Sequence, residues 1–283
     1  MSSLILEGGT FRPIFSAGVM DALLDNDIMF PYCIGVSAGI TNGFSYISKQ
    51  KKRNYDILIN HRHDKRYIGF RNYFKCKSLF GLDFAFDELP NKIYPFDMDT
   101  FQNYHGKVLV GVTNAKTGKT EYLDGKGLDK KCNMLRASCA IPLFFPPAII
   151  NGNEYFDGGI CDPIPILKAI EDGNTKHLIV LTRPKGYIKK LGKGNIFASK
   201  ILKNKYPSLV NPLLTRHKLY NDRVRYCEQL EKEGKAISLR PAAEDGIESF
   251  EKDIDKIKHA YNHGYNMAVE RIDEIKELLL TES

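Results

Sequence analysis

Short apolar runs alternate with glycine-containing loops and helix-like segments at the start of the chain. The pattern predicts a strand at Leu4 to Glu7, a loop at Gly8 to Arg12 and a helix at Ile14 to Leu24, where apolar residues recur at helical spacing. A second unit follows, with a strand at Tyr32 to Val36 and a helix at Gly39 to Ile47. Two such strand-and-helix units within about fifty residues predict an α/β fold with a largely parallel sheet.

Two later apolar runs extend this sheet. Lys107 to Thr113 is a continuous β-branched run, which is typical of a central strand buried on both faces, and the chain then turns into a strand at Glu121 to Leu123. Leu178 to Thr182 predicts another buried strand, preceded by a helix at Pro165 to Glu171. The core sheet is therefore predicted to extend to about residue 183.

The pattern changes after that strand. Lysine-rich segments broken by Gly and Pro lead to a predicted helix at Thr215 to Lys232 and a short strand at Ala236 to Leu239. Between Ile254 and Leu279, apolar residues recur at steps of three and four, which predicts one long helix that packs on the core or on another subunit, so that an oligomer is one expectation. We therefore predict a core that contains the sheet at 1–186 and a lysine-rich, helical extension packed on it at 187–283.

Composition supports a folded protein of this size and indicates its compartment. The chain has 283 residues, of which 43% are hydrophobic and 27% charged, as in soluble globular proteins. No apolar stretch approaches the ~20 residues of a membrane-spanning helix, and no leader-like segment opens the sequence. The cysteines form no CxxC pair, so we expect reduced, mostly buried thiols in a cytoplasmic protein that is at most peripheral to a membrane. They are Cys33, Cys76, Cys132, Cys139, Cys161 and Cys227.

The positive charge is concentrated in two stretches. Residues 49–77 hold ten Lys or Arg against Asp56 and Asp64, and no acid lies between Asp172 and Asp222, within a chain of net charge +7. Such stretches attract anionic groups, or form an ordinary solvated basic face. Because no recognition motif accompanies the charge, nucleic-acid binding is not expected, whereas transient contact with an anionic membrane surface is.

The pattern Gly35-Val36-Ser37-Ala38-Gly39 lies between a predicted strand and a predicted helix. In the G-x-S-x-G turn, a strained backbone lifts the serine above the end of the sheet, and the glycines on either side avoid collisions with it. The turn also places the amino end of the next helix close to the serine, where a developing negative charge is favoured. Ser37 is therefore predicted to be a nucleophile.

Two further glycine turns complete the candidate chemistry. In the loop Gly8-Gly9-Thr10-Phe11-Arg12, successive small residues expose backbone N–H groups that can form an oxyanion hole, and Arg12 adds a positive charge. The turn Asp157-Gly158-Gly159 follows a predicted strand at Asn153 to Phe156 and can direct a carboxylate toward a neighbouring hydroxyl.

Taken in this order, the three turns resemble those of the patatin-like phospholipases, together with Ala137 to Pro142 and the proline-rich Phe144 to Pro147. The likeness covers residues 4–183, and the later portion looks like the extension of the bacterial YjjU-like branch. The resemblance implies a three-layer α/β/α fold with a mainly parallel central sheet, plus a helical C-terminal extension. It also implies a lipid acyl hydrolase that needs no cofactor or metal and uses a Ser37–Asp157 dyad.

The oxyanion loop departs from the family pattern, and alternatives stay open. The family loop reads Gly-Gly-Gly-x-Arg-Gly, whereas this chain has Thr10 for the third glycine and Pro13 for the last. A catalytically weak or inactive lipid-binding protein of the same fold is therefore one alternative. A Ser-Asp-His esterase that uses a late histidine is another. His61 and His63 form an H-x-H pair, which is read as a surface feature rather than a metal site.

Overall fold

The protein is described here by a computed structural model covering residues 1–69, 72–74 and 78–280. Within these residues one eight-stranded sheet runs in the order β5-β6-β3-β2-β1-β7-β8, with β4 paired to β3. Strands β1, β2, β3, β7 and β8 are parallel to one another, whereas β4, β5 and β6 are added antiparallel. The strands are β1 Ser2–Leu6, β2 Tyr32–Val36, β3 Lys107–Asn114, β4 Thr120–Asp124, β5 Ala148–Ile150, β6 Asn153–Asp157, β7 Lys176–Val180 and β8 Ala236–Leu239.

Helices cover both faces of the sheet. They are α1 Ile14–Asp25, α2 Ser37–Ile47, α3 Arg53–His61, α4 Met98–Gln102, α5 Asn133–Ser138, α6 Ile166–Glu171, α7 Lys193–Leu202, α8 Val210–Lys232, α9 Ile254–Glu270 and α10 Ile272–Leu280, with a π-helical segment at Phe84–Ile93. Leu4 and Leu6 of β1 pack in one cluster with side chains of α1 and α2, whereas Ile5 packs in another with α6 and α8. Alternate residues of a strand point to opposite faces, so these clusters are the two interfaces of a three-layer fold, as predicted.

The final helix differs from the prediction. The apolar pattern from Ile254 to Leu279 predicted one helix, but the helix ends at Glu270 and resumes at Ile272, because Arg271 leaves the helical conformation at φ −113° and ψ 19°. Ala268 and Ile275, on either side of the break, still pack in the same core cluster. Periodicity records which face is buried and does not detect a single non-helical residue.

Helix α9 packs on the core through backbone contact with α1. A Cβ atom added to Gly18 would lie 2.0 Å from the carbonyl oxygen of Tyr261, and one added to Gly264 would lie 2.1 Å from that of Phe15. Close approach of this kind requires glycine on both helices. None of the helices in the described ranges has the length and apolar character needed to cross a bilayer.

Some predictions concern residues that the structure does not describe. Cys76 lies outside the described residues, as do positions 70, 71, 75 and 77 of the basic stretch. The other cysteines are free thiols, and Cys33, Cys132 and Cys227 are buried. Beyond residue 186, β8 joins the core sheet parallel to β7.

Candidate active site

The topology of the sheet brings Ser37 and Asp157 together. One edge of β3 pairs with two strands that meet end to end: Val36 of β2 lies opposite Gly111, and Asp157 of β6 lies opposite Val112. Strand β4 occupies the other edge of β3. Because Ser37 follows Val36 directly, the pairing with β3 brings Ser37 next to Asp157, although the two residues are far apart in sequence.

The turn at Ser37 is sharp. Val36 is extended, Ser37 has φ +56°, and helix α2 begins at once. A Cβ atom added to Gly39 would lie 2.3 Å from the carbonyl oxygen of Glu7, so glycine is needed for α2 to lie this close to β1. The Ser37 amide donates to Ser138 Oγ at 2.7 Å, and Ser138 Oγ donates to the Gly111 carbonyl at 2.8 Å, which fixes the strained turn.

Asp157 is buried and held in one orientation. Its Oδ1 accepts from the Gly159 amide at 2.8 Å across the turn that Gly158 begins, and its main-chain oxygen accepts from Thr113 Oγ1 at 2.9 Å. The side chain of Ser37 lies close enough to the Asp157 carboxylate to lower its pKa. Burial raises the pKa of Asp157, and the positive charge of Arg216 and the polar side chain of Ser37 oppose that rise. A carboxylate with a raised pKa that contacts a hydroxyl is suited to accept its proton.

The loop from Gly8 to Arg12 lies directly against Ser37. A Cβ atom on Gly8 would lie 2.8 Å from the Ser37 Cβ, so a side chain there would fill the space beside the serine. Thr10 has φ +58°, a conformation that a β-branched residue adopts only under strain. Thr10 lines the space around Ser37, so this strained residue lies in the part of the loop that faces the serine.

Arg12 is buried and positions the loop. Its Nε donates to Thr182 Oγ1 at 3.3 Å, and Thr182 Oγ1 donates to the Gly8 carbonyl at 3.1 Å. A second nitrogen of its guanidinium contacts Ser249 Oγ. Burial lowers the pKa of Arg12, and the negative charge of Glu7 opposes this. Arg12 therefore links the loop to β7 and to the chain beyond α8, and contributes positive charge to the cleft.

Two pockets of different character meet at Ser37. The first has a volume of about 170 Å³ and is walled mainly by apolar side chains, among them Ile14, Phe80, Leu135 and Phe145. The second, of about 490 Å³, is lined by Ser37, Asp157 and the loop residues Gly8 to Thr10, and is rich in cationic side chains. An ester at Ser37 would therefore have an apolar space on one side and a positively charged space on the other.

The second pocket carries a basic cluster, which consists of Arg12, Arg183, Lys189 and Arg216. Burial lowers the pKa of Lys189 to about 7, helped by the charges of Arg216, Arg12 and Arg183 and opposed by Glu7. Arg216 also donates to the carbonyl of Gly159, and so is fixed beside the turn of Asp157. Arg12 is buried and the other three are half-buried, and partly desolvated cations in excess of nearby acids favour the binding of an anion.

The predicted site residues lie close together in the structure, and several of their neighbours carry no signal in the sequence. Ser37, Asp157 and the loop from Gly8 to Arg12 come together, while their catalytic roles stay predictions. Arg216 and Ser138 were missed because neither carries a local motif. Neither pocket is lined by a histidine in the part of the chain that the structure describes. Burial raises the pKa of the neighbouring Cys139 thiol to about 12, so this thiol stays protonated.

Comparisons with known proteins show which families this chain matches. A family model described as Patatin-like phospholipase matches residues 4–170, and one described as Domain of unknown function (DUF6363) matches residues 206–280. The uncharacterized protein YjjU of Escherichia coli (strain K12) is 28% identical over 189 residues, which cover 64% of this chain and 52% of YjjU. The probable lipid hydrolase 463L of Invertebrate iridescent virus 6 is 28% identical over 196 residues, covering 62% of this chain and 65% of that protein.

The fold is similar to that in the crystal structure of VipD from Legionella pneumophila. The TM-score is 0.54 at 14% sequence identity, and the match covers 96% of this chain and 66% of that one. At this identity the likeness concerns the fold alone. The chain spans only 52% and 65% of the lengths of the two relatives.

Proposed function

Since the chain belongs to the patatin-like phospholipase family, as the match over residues 4–170 shows, we propose that it is a serine acyl hydrolase that cleaves phospholipid-type esters. The observation that carries the proposal is the placement of Ser37 and the buried carboxylate of Asp157 in one pocket, at neighbouring positions along β3. The relative in Invertebrate iridescent virus 6 is named a probable lipid hydrolase, which agrees with the proposal.

In the proposed reaction, Asp157 accepts the Ser37 proton while Ser37 Oγ attacks the ester carbonyl carbon. The oxyanion that forms is stabilised by the amides of the Gly8 to Thr10 loop and by the Ala38 amide in the first turn of α2. The carbonyl then re-forms as the ester bond breaks. Asp157 gives the proton it took from Ser37 to the leaving oxygen, so that the alcohol or lysolipid departs in neutral form. Water, deprotonated by the same carboxylate, then attacks the acyl-enzyme, and Ser37 regains its proton as the fatty acid leaves.

The two pockets support a substrate with one apolar and one anionic part. The acyl chain of an ester bound at Ser37 fits the apolar pocket, and a phosphate on the alcohol side would face the basic cluster of Arg12, Arg183, Lys189 and Arg216. Hydrogen bonds between guanidinium or ammonium groups and phosphate are among the stronger ones in proteins. We therefore favour an acyl ester with a phosphate group over a neutral ester.

Lys189→Met is expected to discriminate between these substrates. Loss of one charged contact should lower kcat/KM for a phosphatidylglycerol about 10- to 100-fold. Hydrolysis of neutral p-nitrophenyl butyrate should change less than about threefold, because Lys189 lies outside the apolar pocket and lowers the pKa of Asp157 less than Arg216 does. Since the pKa of Lys189 is about 7, the preference of the wild type for the anionic ester should also weaken as pH rises through that value.

The matched control is Lys190→Met, because Lys190 is the exposed neighbour of Lys189 and lines neither pocket. It should leave both rates unchanged. Equal losses on the two esters in Lys189→Met would contradict a phosphate-binding role and indicate a general disturbance of the cleft.

Two alternatives to this function can be compared with it: a Ser-Asp-His esterase and a weakened or purely lipid-binding protein. The absence of histidines among the described residues lining the two pockets weighs against a Ser-Asp-His esterase. The strain at Thr10 favours a weakened or purely lipid-binding protein, because the loop must hold its amides in place without the usual glycine. Mass spectrometry of lipids after incubation with a mixed extract tests the proposal directly. Release of free fatty acid supports it, whereas lipid binding without product supports the second alternative.

We further propose that the exposed face of α7 contacts an anionic membrane surface. Phe197 and Ile201 lie one helical turn apart and are 58% and 52% exposed, and Lys200 and Lys203 are exposed beside them. Phe197 also lines the pocket of the basic cluster, so this face stands at its mouth. Apolar side chains flanked by lysines are typical of surfaces that insert shallowly between anionic lipids.

The variant Phe197→Ser with Ile201→Ser should lose at least about tenfold in affinity for phosphatidylglycerol vesicles, because burying each side chain contributes about 1.5–3 kcal/mol. Hydrolysis of a soluble short ester should be preserved. Val269→Ser, which replaces an exposed apolar residue of α9, is the control and should bind vesicles as the wild type does. Wild-type co-sedimentation that is indifferent to anionic lipid content would contradict the proposal.

A further inference from the structure

A carboxylate and two imidazole rings converge in the C-terminal part of the chain, away from the residues that form the proposed dyad. His259 Nε2 lies 2.6 Å from Asp245 Oδ1, and His263 Nδ1 lies 2.8 Å from Asp245 Oδ2. The ligand atoms of the three side chains all lie within 4.8 Å of one another. Each ring thus turns one nitrogen toward the same small space, and each carboxylate oxygen faces one ring.

The secondary structure explains this convergence. His259 and His263 are four residues apart on α9, so their rings project from the same face of the helix. This is the spacing by which a helix supplies two histidine ligands to one metal ion. Asp245 comes from the loop 241–253, which precedes the helix, and supplies a third ligand of the type that completes a two-histidine, one-carboxylate set.

The two histidines differ in a way that fits a metal site open to solvent. His263 is mostly covered and its ring lies 5.7 Å from that of Phe15, while its Nε2 is buried without a hydrogen-bond partner among the described residues. Nδ1 is therefore the only nitrogen of this ring that faces the other two groups. The side chain of His259 is 62% exposed, which leaves a path for an ion and room for a water ligand.

We propose that Asp245, His259 and His263 bind a divalent transition-metal ion of the zinc type. The N–O separations are those of hydrogen bonds and must widen by about half an ångström for a metal with ligand distances near 2.0–2.1 Å. Rotation of the exposed His259 ring permits this. On binding, the ion takes the lone pairs of His259 Nε2 and His263 Nδ1, and each neutral ring carries its proton on the other nitrogen.

A metal ion here would fix the loop that covers the oxyanion loop. Ser249, in the same 241–253 segment as Asp245, accepts from the Phe11 amide at 3.2 Å and contacts the Arg12 guanidinium through its hydroxyl. The ring of Phe250 lies 6.4 Å from that of Phe11. The ion would tie this loop to α9, and thereby restrain the segment that holds Phe11 and Arg12 in place.

The test measures metal binding directly and does not depend on hydrolysis. Full-length protein is dialysed against a chelator and titrated with Co²⁺ and Zn²⁺. We expect one ion per chain, a visible Co²⁺ spectrum of imidazole ligation, and a rise in Tm of about 5–10 °C at a Zn²⁺ concentration near 100 times Kd. His259→Ala and Asp245→Asn should each weaken binding at least about tenfold.

Because His259 is exposed, its replacement should leave the fold intact, and His63→Ala is the matched control for an exposed histidine elsewhere. The control should bind Zn²⁺ as the wild type does. Failure of the wild type to bind a stoichiometric ion overturns the proposal. So does a Co²⁺ spectrum that survives both His259→Ala and Asp245→Asn, since the ion would then lie elsewhere.

Discussion

Replacing Ser37 by alanine is expected to lower kcat/KM for any ester substrate by about 10⁴-fold or more, because the variant lacks the atom that would form the acyl-enzyme. Alanine has the same difficulty as serine at φ +56°, so the free energy of unfolding should change by less than about 1 kcal/mol. Hydrolysis of p-nitrophenyl butyrate and labelling by a fluorophosphonate are the measurements, with Tm recorded in parallel.

Ser16→Ala is the matched control for Ser37→Ala. Ser16 is fully buried in α1, and its hydroxyl has no hydrogen-bond partner among the described residues, so its loss should affect neither activity nor labelling. Full fluorophosphonate labelling of Ser37→Ala would place the nucleophile at another residue. Absence of labelling in the wild type as well would favour the lipid-binding alternative.

The elements that lead to Ser37 could be predicted from sequence because their signals are local. A buried strand, a glycine turn and a helix follow one another between Tyr32 and Ile47, and each is encoded by residues inside it. Asp157 is a different case. An Asp-Gly-Gly turn is common, and only the pairing of β2 and β6 along one edge of β3 makes this one a neighbour of Ser37. The resemblance to a known family supplied what local pattern could not.

The basic cluster could not be predicted in the same way. Arg12, Lys189 and Arg216 come from three separate segments, and in sequence Lys189 is one lysine among many. Their meeting depends on how α8 packs beside the turn of Asp157, where Arg216 donates to the Gly159 carbonyl. Side chains that act through long-range packing leave no periodic or motif signal.

These contacts also assign a role to the chain beyond the Patatin-like phospholipase match at 4–170. Arg216 and Ser249 both lie within residues 206–280, which match the domain of unknown function. The charge of Arg216 opposes the rise that burial causes in the pKa of Asp157, and Ser249 contacts Phe11 and Arg12. The C-terminal part is therefore built into the candidate active site, so a truncation near residue 186 should disturb the oxyanion loop and the carboxylate together.

Asp157→Asn should abolish the proposed general base while leaving the fold at least as stable as the wild type. The amide oxygen can still accept from the Gly159 amide, but the side chain cannot take the Ser37 proton, so kcat/KM should fall by about 10³- to 10⁴-fold. Burial raises the pKa of Asp157 above its value in the unfolded chain. Protonated Asp157 therefore stabilises the folded protein. This stabilisation is complete at pH values below the pKa of Asp157 in the unfolded chain, and it is lost as pH rises through the pKa of Asp157 in the folded protein.

At pH 7 the ionised carboxylate of Asp157 therefore lowers the free energy of unfolding. Because the neutral amide of asparagine removes this effect, Tm of Asp157→Asn should equal or exceed that of the wild type. Wild-type activity should fall as pH drops through the raised pKa, because the protonated acid cannot act as a base. Asp162→Asn is the control: Asp162 is also buried, accepts from the Tyr122 hydroxyl at 2.6 Å and pairs with Arg223, but lines neither pocket. It should spare activity, whereas an active Asp157→Asn would show that another group takes the Ser37 proton.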